Sequence, residues 1–164
     1  MLATVAIAPA AWSSTPLPAK PSGNGTEPTA GGGTMAGKPF APHAALAVFD
    51  ISFKDIQIYL LTKPAQCSDL FFVNPPYIKV NVDTGGKPLA AGGTISGDGS
   101  VQVDFHPPGP KYYGIQPSAS VTFTRIDPNA NGVWHGHLVV KRQQFEGKTF
   151  AYDGTFAARW CGHD

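Results

Sequence analysis

From residue 44 onward the chain alternates apolar and polar positions in short runs, and the clearest run is 149–161, TFAYDGTFAARWC. Phe150, Tyr152, Gly154, Phe156, Ala158 and Trp160 take every second position, and Thr149, Ala151, Asp153, Thr155, Ala157 and Arg159 fill the gaps. Successive side chains of a strand point to opposite faces, so the first set faces a core and the second faces away. Weaker runs of the same period predict further strands at 44–49, 53–62, 77–83, 92–95, 101–105, 118–126 and 133–141, with a hairpin at 145–148 closing onto the final strand. In 53–62, Ile56, Ile58 and Leu60 share one face; in 77–83, Ile78, Val80 and Val82 do. Val101, Val103 and Phe105 continue the pattern, as do Val121 and Phe123.

The breaks between runs carry turn chemistry. Pro64 ends the second run, since proline has no amide to donate to a ladder. Gly85-Gly86, Asp98-Gly99 and 127–132, DPNANG, are turn signals. Residues 65–72 predict a short helical turn. With no amphipathic helix and many short strands, the expected fold is all-β: an antiparallel, Ig-like or jelly-roll-like β-sandwich. Cys161 ends the last strand and Cys67 follows an early one, so a disulfide tying the two is expected. The alternative is two unrelated buried thiols. A bridge closing so long a loop would stabilise the fold by about 3–5 kcal/mol in the chain-entropy picture.

The first 39 residues read differently. Residues 1–12, MLATVAIAPAAW, are apolar, and 13–39 are rich in proline and glycine, which predicts a mobile linker ahead of a domain spanning 40–164. An apolar segment on such a leash suits strand addition to a neighbouring molecule's sheet, with Ala3, Val5 and Ile7 in the added strand. A disordered tail is the plainer account. Ala8-Pro9-Ala10 also lies near an A-x-A cleavage pattern, as in the stub of a signal peptide.

Composition narrows the function classes. Lys plus Arg number 12 and Asp plus Glu 11 in 164 residues, with 19 Gly and 16 Pro. Near-neutral charge argues against nucleic acid, which calls for a basic patch. No apolar run is long enough to span a membrane as a helix. Low charge with many turn-formers fits a secreted or cell-surface β-protein.

Several pieces resemble a loosely defined family of uncharacterised bacterial secreted or lipoprotein β-sandwich domains of myxobacteria-like genomes. They are Gly37-x-x-Phe40-x-Pro42-x-x-Ala45, then Ile58-x-Leu60-x-Thr62 ahead of Cys67, then Gly154-Thr155-Phe156-x-Ala158 running into Cys161. The resemblance covers most of 37–161. It implies export and a Cys67–Cys161 bridge, and it implies no activity.

Candidate chemistry is sparse. His135 and His137 share one face of their strand, opposite Trp134, Gly136, Leu138 and Val140. Two imidazoles so placed could begin a zinc or copper site, with His163 or Asp164 as a third ligand. An outward polar face is the preferred reading. His106, in a proline loop, and His43 have no visible partner in the sequence. The carboxylates are scattered over turns, and the glycine runs do not join a strand to a helix as a phosphate loop requires. Tyr59, Tyr112, Tyr113 and Trp160 could form a platform for stacking sugars. The expected function is therefore non-enzymatic and without a cofactor: a structural protein self-assembling into a filament through 1–12. The alternative is a monomeric extracellular module binding carbohydrate or a transition metal.

Overall fold

The computed structural model describes residues 31–97, 99–115, 118–127, 129 and 132–163. These residues form strands β1 (Gly31–Met35), β2 (Lys38–Phe40), β3 (Ala44–Asp50), β4 (Asp55–Leu61), β5 (Tyr77–Val82), β6 (Thr94–Ser96), β7 (Val101–His106), β8 (Tyr113–Ile115), β9 (Ala119–Arg125), β10 (Val133–Phe145) and β11 (Lys148–His163). A short 3₁₀ helix, Cys67–Phe72, sits between β4 and β5. The all-β expectation holds. The hydrogen-bonded strands form one sheet in the order β6-β9-β10-β11-β3-β4-β5-β7-β8, curled into a half-barrel. The curl brings β7 close to β9, although they lie near opposite ends of that order.

β11 is the organising strand. One edge pairs along its length with β10, joined by a hairpin whose turn residues, Glu146 and Gly147, both have positive φ. That geometry matches the twist of the flanking strands. The other edge is shared. Its first part, Ala151 to Gly154, pairs antiparallel with β1, and its later part pairs with β3. The β11–β3 pairing is parallel, the one departure from an antiparallel sheet among the described pairings.

The stretch 31–39, expected to belong to the linker, is instead β1 and β2, so ordered structure begins by Gly31. Its composition misleads for a physical reason. A Cβ built on Gly33 would lie 2.0 Å from the Ala151 carbonyl oxygen, so β1 approaches β11 as only glycine allows. Residues 1–12, with Ala3, Val5 and Ile7, lie outside the described residues.

Inward positions form the main core as the alternation predicts. Phe105, Phe123, Phe150, Tyr152 and Leu138 are essentially fully buried. Phe150 packs against Phe105 and Tyr113, with ring centroids 5.1 and 5.0 Å apart. Such aromatic burial is the dominant favourable term in a core of this kind. A second, smaller cluster lies on the outer face: Ala44, Leu46 and Leu61, covered by Leu70 and Val73 from the 62–76 crossing. Cys161 points to this face, one residue after the inward Trp160. It bonds Cys67 of the 3₁₀ helix, with Cα atoms 5.3 Å apart. The disulfide thus staples the crossing onto the outside of the sheet.

Candidate functional site

The stapled crossing forms one wall of a shallow outer-face pocket of about 300 Å³. Register builds the rest of it. Tyr77 on β5 pairs opposite His106 on β7, and Tyr112 immediately precedes β8. Cross-strand neighbours on one face lie close enough for their rings to meet. Tyr77 stacks on His106 with centroids 4.1 Å apart and planes 11° off parallel. His106 stacks in turn near Tyr112 at 5.6 Å. Tyr59 on β4 approaches Tyr77 at 6.2 Å.

The next rung carries polar groups. Tyr59 pairs with Lys79, and Lys79 with Asp104. The Lys79 ammonium lies 5.8 Å from the centroid of the Tyr59 ring. Asn81 donates to Asp104 at 3.4 Å, and the Tyr59 hydroxyl donates to the Gln57 amide oxygen at 2.9 Å. Gln57, buried although it is polar, donates to Asp50 at 2.7 Å. Buried amides need such partners. The result is a row of rings beside a row of amide, carboxylate and ammonium groups.

Burial sets the titration of the row. It lowers the His106 pKa, with Asp104 opposing and Lys79 pulling the same way as burial. Burial, then the Asp104 charge, raises the Tyr77 pKa. Near the β3–β4 turn, burial and then Asp50 raise the Asp55 pKa. Asp50 itself accepts from the Ser52 and Phe53 amides, the ordinary duty of a turn aspartate.

Of the four aromatics expected to form a platform, the structure brings Tyr59 and Tyr112 to this face. Tyr113 is buried in the main core, and Trp160 stacks on Trp134 at 4.2 Å on the inner side. Trp160 shares the phase of Phe150 and Phe156, which already assigned it inward. Tyr77 and His106 take the other two places. The sequence held a signal for them: each lies two residues from Lys79 or Asp104, in outward phase. Reading β7 as ending at Phe105 put His106 into the proline loop and hid it. His43 lies at one end of the half-barrel, lining a separate groove.

Among the described residues, His135, His137 and His163 are not brought together. His137 bonds Asp153 at 2.7 Å on the exposed face, and His135 lies one rung away opposite Ala157. His163 is on the other side of the sheet, its ring 5.5 Å from Phe49 and 6.1 Å from Trp160. The strand is irregular between Trp160 and His163, which carries His163 away from the outward phase. Asp164 lies outside the described residues. Among the described residues no three His, Cys, Asp or Glu side chains are grouped to hold a metal ion.

No protein-family model, no curated protein and no solved structure matches the chain. Among the described residues, no helix is long and apolar enough to cross a membrane.

Proposed function

We propose that the chain is a non-enzymatic, extracellular binding module that holds a neutral carbohydrate on the outer face of β4, β5 and β7. The single observation behind this reading is the ring row, Tyr59, Tyr77, His106 and Tyr112, set beside Lys79, Asn81 and Asp104. A sugar presents an apolar C–H face and a rim of hydroxyls. Aromatic rings suit the first, and amide and carboxylate side chains suit the second. The free face for stacking is that of Tyr112, which is 66% exposed. An Ig-like or jelly-roll-like classification and export, as in the bacterial secreted domains that the sequence resembles, are part of the same proposal. A disulfide is compatible with an oxidising compartment.

Filament assembly by strand addition is the less favoured proposal. Its donor lies in 1–12, outside the described residues. The two ends of the sheet order, β6 and β8, are three residues long, which gives an added strand a short template.

The test is affinity electrophoresis in gels containing soluble neutral glucans, xylans or mannans. At least one polysaccharide should retard the wild type. Tyr112→Ala and Asp104→Ala should each weaken that retardation roughly tenfold. Unretarded wild type across the panel, or retardation indifferent to both substitutions, would sink the reading.

A further inference from the structure

A separate groove, lined by other residues than the ring row although Pro76, Pro107, Lys111 and Tyr113 are chain neighbours of Tyr77, His106 and Tyr112, carries a second site. At the end of the half-barrel where β3 begins and the β10–β11 hairpin turns, a groove of about 780 Å³ opens. Its floor is apolar and buried: Met35, Phe40 and Tyr113. Its walls are built largely from Pro39, Pro76, Pro107, Pro108 and Pro110. Lys38, Lys111 and Lys148 stand around it, and among the described residues lining it there is no carboxylate. Lys148 is held in place, donating to the Tyr113 hydroxyl at 2.8 Å with its ammonium 5.2 Å from that ring's centroid.

We infer that this groove binds a single-chain anionic amphiphile, an alkyl carboxylate or its like. Proline has no amide N–H, so the five proline positions of these walls offer no main-chain donor to a peptide strand or to a sugar hydroxyl. An alkyl chain asks for none. The groove lies within the usual size of a small-molecule site and is lined as such sites are, mostly apolar with a few placed polar groups. The charge complement fixes the sign of the ligand. Three ammonium groups with no opposing acid in the lining favour an anion at the mouth. Lys148 has three N–H donors, of which Tyr113 takes one, so the cation that receives the headgroup is already positioned.

Isothermal titration of the full chain with decanoate, and separately with decyltrimethylammonium, tests both halves of the inference. Decanoate should bind and the cation of equal tail should bind much more weakly. Ala41→Trp, placing bulk at an exposed position of the lining, should abolish decanoate binding. The triple variant Lys38→Gln, Lys111→Gln, Lys148→Gln should weaken it roughly tenfold while circular dichroism stays unchanged. No heat with decanoate, equal affinity for the two amphiphiles, or decanoate binding unaffected by Ala41→Trp would each overturn it. None of these outcomes bears on the polysaccharide test, because Tyr112 and Asp104 do not line this groove.

Discussion

The sheet has an apolar cluster on each face, and the two are held by different means. The inner one is large. It gathers residues from nearly every strand, and its aromatic rings meet tilted, edge to face or stacked. The outer one centres on three buried side chains, Ala44, Leu46 and Leu61, under a crossing that is mostly loop. So few side chains cannot offset the ordering of that crossing by burial alone, since fixing one backbone residue costs about 1–2 kcal/mol. The Cys67–Cys161 bond supplies the difference by restricting the unfolded chain. Burial that suffices needs no covalent help; burial that does not is placed under a staple. The outer-face pocket shares Leu70 and Val73 with the stapled cluster, so its wall depends on the weaker of the two.

The largest effect should come from the staple. Cys67→Ser with Cys161→Ser removes a cross-link between residues 94 apart in sequence. The chain-entropy relation makes that about 4–5 kcal/mol, read as a lower urea midpoint. Native-state hydrogen exchange sharpens the contrast: amides of 62–76 should lose protection before those of β5 and β7. Uniform loss across the sheet would mean that the outer cluster is no separate unit.

Next comes the inner cluster. Phe150→Ala empties a fully buried site between Phe105 and Tyr113, at a cost of about 3–5 kcal/mol. Its signature should be the opposite one, a global loss with protection in 62–76 falling together with the rest. A cost below about 1 kcal/mol would place the centre of the core elsewhere.

The smallest effect is a gain. Tyr152 is 1% exposed, and its hydroxyl meets no hydrogen-bond partner among the described residues. Tyr152→Phe should therefore raise stability by roughly 1 kcal/mol at neutral pH. Burial, with Asp153 adding to it, pushes the Tyr152 pKa from 10.0 up to about 12. Between those values the unfolded chain gives up a proton that the folded one keeps. The wild type thus loses stability as pH rises above 10, and the variant should lose less. Equal alkaline melting curves would show that the phenol ionises as it does in water.

Much of the inner cluster could be read from alternation alone, because a period of two fixes the face of each side chain once a strand is recognised. Phe150, Tyr152 and Phe156 are buried as that period requires. What alternation does not contain is pairing. Nothing in the local pattern tells that β5 lies beside β7, so the meeting of Tyr77 with His106 could not be read. The glycines of β1 misled for the converse reason. Composition reports flexibility of an isolated segment, while the packing against Ala151 uses the missing side chain as room. The bridge was legible through having only two cysteines, and so was the short helical turn after Pro64; that this crossing covers Ala44, Leu46 and Leu61 was not.

β11 follows all ten other described strands in the chain, yet it lies in the interior of the sheet. Without it the sheet falls into three pieces: β6, β9 and β10; β3, β4, β5, β7 and β8; and the β1–β2 pair. Ala45 has its neighbour Ala158 only after more than a hundred intervening residues have been made. During synthesis the early strands must wait, unpaired along that edge, for the strand that joins them. Such distant closure slows folding, and it leaves the nascent chain slack for as long as translation lasts.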